Sequence, residues 1–411
     1  MTDAQAVPDV PVEPKNGLSQ SPPGREAPAQ LNGFVAPGLE AVLDEFERNF
    51  TERGDIGAAF AVYRDEELVI DLWAGQANRL ERLAWTEDTL SLIFSGTKPL
   101  VATCLLLLID RGQLQLERPV ADYWPEFAAA GKEQILVSHL VTHRAGLPGF
   151  QERLEINDLV DDERLARLLA AQEPLLLPGG EICYHGLTFG WLCGELVRRI
   201  DGRSVGRFFA EDVASPLGLE AWIGLPPELE RRVATLELSQ AWGVGAALSA
   251  AGADMSSLAA QVWANPPTFD RSDFPWNSRA YHAAEIPGAN GIATARSVAR
   301  LFACLARGGE VGGVRLLSEE TVHLGTTALA RGYERVLAEP MAVGVGVQLQ
   351  TELMLLGPAI DAFGHAGAGG SIHGAWPSRR IGFSYVVNLM LDGAPPDPRP
   401  QALLSALHRS L

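Results

Sequence analysis

A serine hydroxyl and a lysine amine stand three residues apart in Phe94-Ser95-Gly96-Thr97-Lys98-Pro99, which runs into the apolar stretch Leu100 to Ile109. That spacing puts both side chains on one side of a helix, one turn apart. Proline fits such a helix in its first turn, so Ser95 is expected at the helix start with its hydroxyl beside the Lys98 amine. A serine hydroxyl attacks a carbonyl only when a base takes its proton. Lysine can be that base once burial or nearby positive charge lowers its pKa from about 10.4. The chain holds three lysines (Lys15, Lys98 and Lys132), and the rest of its 33 basic residues are arginine. At position 98 it uses the cation that can lose its proton.

Two further segments could complete a site. In Pro178-Gly179-Gly180-Glu181-Ile182-Cys183-Tyr184-His185-Gly186, a Pro-Gly turn delivers Tyr184 to the mouth of a helix. A cation beside a phenol favours the phenolate, so Tyr184 and Lys98 are expected to share one proton as a coupled general base. A structural tyrosine with its hydroxyl capped fits the same residues. The run Phe363-Gly364-His365-Ala366-Gly367-Ala368-Gly369-Gly370 is glycine-rich enough for backbone to approach a ligand closely. A strand edge there can offer an N–H to an oxyanion, and His365 is expected to donate a hydrogen bond to substrate or to Tyr184. A tight glycine turn with an incidental histidine is the plainer reading of that segment.

The elements around these residues suggest how they are positioned. Residues 1–32 are rich in Pro, Ala, Gln and acidic side chains and are expected to form a disordered leader. Leu39, Val42, Leu43, Phe46 and Phe50 then follow helical spacing, with Gly54 as the stop. Gly57 to Tyr63 and Leu68 to Trp73, joined at Asp65-Glu66-Glu67, predict an antiparallel hairpin. Leu187 to Ile200 and Arg296 to Arg307 predict helices ended by glycine. Between about 225 and 290 the periodicity is weak, and Trp242, Trp263, Phe269, Phe274 and Trp276 could either line a pocket or fill a core. Strand patterns return at Ala342 to Leu349, Gly370 to Trp376 and Gly382 to Leu391, before a final helix over Gln401 to Leu411. The expected fold is α+β: one antiparallel sheet built from residues 33–110 and 310–411, flanked by helices, with a mostly helical domain inserted over 111–309.

Composition narrows the function classes. With 47% apolar and 20% charged residues the chain is an ordinary globular sequence, and 411 residues suffice for two cores. A formal charge of −18 argues against nucleic acid and anionic membrane surfaces as partners. No apolar run approaches the roughly 20 residues that span a bilayer. No zinc-finger or phosphate-loop spacing occurs, so no metal or cofactor is expected. Cys104, Cys183, Cys193 and Cys304 form no Cys-x-x-Cys pair and fit small buried side chains in a reducing compartment. Without the cationic start and apolar core of a secretory signal, a cytoplasmic location is expected.

The order Ser95-x-x-Lys98, then Tyr184, then His365-Ala366-Gly367 resembles the beta-lactamase-related serine hydrolases. That superfamily includes class C beta-lactamases, penicillin-binding DD-peptidases and family VIII carboxylesterases. Leu140 to Leu147 and Pro287 to Thr294 support the resemblance, which spans about residues 35–410. It implies a beta-lactamase/transpeptidase-like fold, with Ser95 as the acylated nucleophile and Lys98 and Tyr184 as base and acid. It also implies an oxyanion hole from the N–H groups of Ser95 and Ala368, beside His365 and Gly367. His143 is expected to be a supporting structural histidine, and Asn290 to border the site without reacting.

Two departures from the lactamase pattern bear on substrate. The asparagine expected two residues after the tyrosine is Gly186, and the lysine that begins the third motif is His365. Both changes remove groups suited to a charged amide, whereas an uncharged ester needs neither. The resemblance is therefore strongest to the carboxylesterase branch, and a small-molecule ester is the expected substrate. No G-x-S-x-G elbow surrounds Ser95, which sets aside an alpha/beta-hydrolase. The same residues would serve an amide hydrolase or an acyltransferase, and a scaffold that has lost its chemistry is the reading from another class. Oligomeric state leaves no trace in the sequence.

Overall fold

A computed structural model describes residues 10–11, 30–240, 242, 258–392 and 396–411. Its backbone is an eleven-stranded antiparallel sheet that joins both ends of the chain. The hairpin strands Gly57–Arg64 and Glu67–Asn78 meet the C-terminal strands through Gly57–Arg64 and Ile381–Val387, with Ile381 opposite Arg64 and Val387 opposite Ala58. Beyond Ile381–Val387 the order is Ile372–Trp376, Phe363–Ala366, Gln348–Leu349, Glu339–Val343 and Ala330–Glu334.

The central strands are buried on both faces, and alternation assigns each residue to a layer. Phe60, Val62, Phe383 and Tyr385 face the helices Glu40–Thr51 and Pro398–Arg409, packing with Phe46, Leu403 and Leu407. Ala61, Tyr63 and Val386 face the other way, into the core that holds the Lys98–Asp110 helix. That helix is apolar nearly all round, as a core helix must be, and every side chain from Lys98 to Leu108 is buried. The Thr188–Asp201 helix packs against it and ends at Gly202, whose φ of 90° suits glycine.

Several expectations need correction. Leu31 and Asn32, placed in the leader by sequence, belong to the strand Leu31–Val35, and Val10–Pro11 pairs with Phe34 and Val35. Apart from Gln30, the rest of the expected leader lies outside the described residues. Ala342 to Leu349 is not one strand: Glu339–Val343 and Gln348–Leu349 flank a turn at 344–347, where Gly346 adopts a φ of 65°. The strand Ala330–Glu334 escaped notice because its residues are mostly polar and exposed. The helix Ala295–Ala306, expected in the inserted domain, lies on the sheet against Ile381–Val387. Conversely, the Lys98–Asp110 helix, expected with the sheet, also packs among the helices of the insertion. Among the described residues, no helix is long and apolar enough to cross a membrane.

Candidate active site

Phe94 enters the site with φ 45° and ψ −126°, a backbone conformation that costs a non-glycine residue roughly 1–3 kcal/mol. Packing holds it there: its ring sits 5.2 Å from Trp276 and 5.7 Å from Phe269. Ser95–Thr97 then forms a single 3₁₀ turn that runs into the helix, with Pro99 in the first helical turn. A side chain at Gly96 would lie 2.7 Å from Nε2 of His373, so only glycine lets that ring pack behind the serine.

Ser95 Oγ is held from two sides. Tyr184 Oη donates to it at 2.8 Å, and Lys98 Nζ lies 3.2 Å away. Lys98 is fully buried and also donates to the carbonyls of Gly186 at 2.7 Å and Gly288 at 2.9 Å. Burial lowers its pKa to about 7. In the neutral amine those two carbonyls use both N–H bonds, which leaves the lone pair for Ser95. The second carbonyl comes close because Gly190 has no side chain: a Cβ there would meet the Gly288 nitrogen at 2.0 Å.

Tyr184 is positioned by its neighbours in the chain. Its N–H donates to Glu334 at 2.5 Å, the Cys183 N–H to the His143 carbonyl at 2.9 Å, and the His185 N–H to His143 Nδ1 at 3.2 Å. The expected sharing of a proton between Tyr184 and Lys98 meets an opposing effect. Burial is the first cause acting on the phenol and raises its pKa, whereas burial lowers that of Lys98, so the lysine is the more readily deprotonated of the two.

His365 sits at the site but not in the expected role. Its Nδ1 lies 2.7 Å from the Ala366 carbonyl, which can only accept. The ring proton is therefore on Nδ1, and Nε2 is a buried acceptor with no partner among the described residues. Burial, reinforced by Lys98, lowers its pKa to about 3 and keeps the ring neutral. Gly367 and Ala368 occupy a turn closed by Gly367 N–H to Ser371 O at 2.8 Å and Gly370 N–H to Gly367 O at 3.2 Å. Ser95, Tyr184, His365, Gly367 and Ala368 line one cavity of about 430 Å³. Of the aromatic residues from the weakly periodic region, Trp263 lines this cavity, while Trp276 is fully buried and Phe269 stacks on it.

His143, far from the motifs in sequence, is their structural neighbour: its ring lies 4.9 Å from Tyr184 and 5.4 Å from Phe189. Asn290 spends its amide on the Tyr281 and Ala284 carbonyls and on the Ile286 N–H, so it shapes the loop. His185, part of the tyrosine motif, drew no role from the sequence; its Nε2 accepts from the Leu147 N–H at 3.1 Å, tying two loops together. His373 likewise drew no role from the sequence; it lies directly opposite His365 in the neighbouring strand and bonds Ser384. Period-two alternation across that hairpin was the available signal. Glu334, Glu339 and Gln348 belong to a strand region whose pairing the sequence did not reveal.

With this geometry in view, comparison with known proteins is direct. The family model described as Beta-lactamase matches residues 43–408. The chain belongs to the beta-lactamase family. An esterase/beta-lactamase, LipL, from Mycobacterium tuberculosis (strain ATCC 25618 / H37Rv) is 36% identical over 377 residues, covering 90% of this chain and 85% of that protein. The crystal structure of a family VIII carboxylesterase superposes with a TM-score of 0.85 at 38% identity, over 93% of this chain and 100% of that one. A penicillin-binding protein homologue from Caulobacter crescentus does so with a TM-score of 0.84 at 35% identity, over 93% and 100%. The beta-lactamase/transpeptidase-like fold is thus established for this member of the family.

The structure also shows what lies beside Gly186, where the lactamase pattern has asparagine. A Cβ on Gly186 would touch the Trp263 indole at 3.4 Å. The space in front of Gly186 is thus bordered by an apolar ring.

Proposed function

We propose that this family member is a serine carboxylesterase that cleaves short-chain esters through an acyl-enzyme on Ser95. The observation that carries this reading is the placement of Ser95 Oγ between Lys98 Nζ at 3.2 Å and Tyr184 Oη at 2.8 Å, at the edge of the cavity. Neutral Lys98 takes the Ser95 proton as the oxygen attacks the ester carbon. The N–H groups of Ser95 and Ala368 receive the oxyanion. Tyr184 gives its proton to the departing alkoxide and recovers one from Lys98, leaving the acyl group on Ser95. Water then repeats the sequence and frees the acid.

Ester is favoured over lactam or peptide because the cavity wall, as described, includes no lysine or arginine to hold a substrate carboxylate. Gly186 has no side chain to contact a substrate amide, and the apolar Trp263 indole lies beside it. The names of the relatives, esterase and carboxylesterase, agree with this choice. A cytoplasmic setting is consistent with four buried, free cysteines. The decisive test is Ser95→Ala on p-nitrophenyl acetate and butyrate: hydrolysis is expected to fall to background. Activity retained by a pure variant would overturn the assignment.

A further inference from the structure

Glu334 and Glu339 stand directly opposite each other in adjacent strands, on one face of the sheet. Their surroundings differ. Glu334 is fully buried and accepts N–H bonds from Tyr184, Val336 and Leu337. Glu339 is 9% exposed and, among the described residues, receives no hydrogen bond and no ion pair. It lines the reaction cavity. Met341 and Val343, two and four residues along the same strand face, pack with Tyr184, which places Glu339 on the side of the strand that meets the site.

Two other residues of the wall carry acceptors without partners. His365 Nε2 is an acceptor without a partner, and the Gln348 Oε1 is also unpaired. Asp397 adds a carboxylate paired with Arg399, whose guanidinium does not itself line the cavity. A carboxylate with little water and no donor is unfavourable unless a ligand brings one. Burial first, and Glu334 second, push the Glu339 carboxyl up to about 7, so it is ionised in mildly alkaline solution.

We propose that Glu339 is a specificity residue that selects esters carrying an ammonium group, by pairing with that cation in the cavity. This rests on the esterase reading and extends it to a substrate class. It also implies that esters bearing a second, ionised carboxylate are poor substrates.

The test uses matched esters at pH 8. On the alcohol side, acetylcholine is compared with 3,3-dimethylbutyl acetate, which replaces nitrogen by carbon. On the acyl side, p-nitrophenyl 6-aminohexanoate is compared with p-nitrophenyl heptanoate and with the p-nitrophenyl monoester of adipic acid. The wild-type enzyme is expected to favour the cationic member of at least one pair by about tenfold in kcat/KM, and to disfavour the anionic ester. In Glu339→Gln the cationic-to-neutral ratio is expected to fall close to one. A wild-type ratio of one in both pairs, or a ratio that E339Q leaves unchanged, would overturn the proposal. Should E339Q not fold, wild-type ionic-strength dependence decides: a charge-based preference shrinks with salt, and a salt-independent one overturns it. Failure to turn over any of these esters, charged or neutral, would instead refute the esterase reading itself.

Discussion

Arg399 Nη2 donates 2.6 Å to the carbonyl of Gly369, one residue beyond the proposed oxyanion donor Ala368. The same guanidinium is fully buried and bonds Asp55 and Leu389 through Nη1 at 2.9 Å and Asp397 through Nη2 at 2.7 Å. It joins the C-terminal helix to the glycine-rich turn at the cavity. Replacing Arg399 by Met leaves the buried Asp55 carboxylate without a counter-charge, a change that costs about 3–5 kcal/mol. Lysine retains the charge but not the planar fork, so Arg399→Lys is expected to fold with a reduced Tm. In R399K the loosened turn should lower kcat on p-nitrophenyl butyrate more than it raises KM. Kinetics and a thermal melt on the same preparation check both effects.

The reaction should depend on pH through Lys98. With the Lys98 pKa lowered to about 7 by burial, the amine is mostly protonated below that pH and mostly free above it. As the base must be free, kcat/KM is expected to rise with pH through about 7 and then level off. Lys98→Met should lose the rising limb together with nearly all activity. A profile that rises only above pH 9 would mean that Lys98 keeps its ordinary affinity for protons.

Gly190 controls one of the two carbonyls that orient the lysine. An alanine Cβ there would meet the Gly288 nitrogen at 2.0 Å, so the 287–288 segment must move. Gly190→Ala is expected to destabilise the fold by about 1–3 kcal/mol, the usual range for overpacking. The shift should also weaken the 2.9 Å bond from Lys98 to Gly288 and lower kcat. Denaturant unfolding and the pH–rate profile together separate the packing effect from the effect on the base.

Trp263 limits the cavity beside Gly186. Trp263→Ala removes the indole and enlarges a space of about 430 Å³. The preferred acyl chain is expected to lengthen, measured as kcat/KM across p-nitrophenyl esters from acetate to octanoate. An unchanged optimum would place the acyl group elsewhere in the cavity.

The sequence alone singled out the groups proposed to react. Ser95 and Lys98 are neighbours by helical spacing, a local relation that survives any tertiary arrangement. The helix at Lys98–Asp110, the hairpin at Gly57–Arg64 and Glu67–Asn78, and the glycine stop at Gly202 were legible for the same reason: each follows from residues within one or two turns. Tertiary structure decided what surrounds those groups. The donor sense of His365 depends on which atom faces the Ala366 carbonyl, and the protonation of Lys98 and Tyr184 on how completely each leaves water. Glu339 became visible only when pairing set it opposite Glu334 and one carboxylate took the available N–H donors. Long-range contacts fix burial and hydrogen-bond partners, and these convert a common four-residue pattern into a site with defined proton positions.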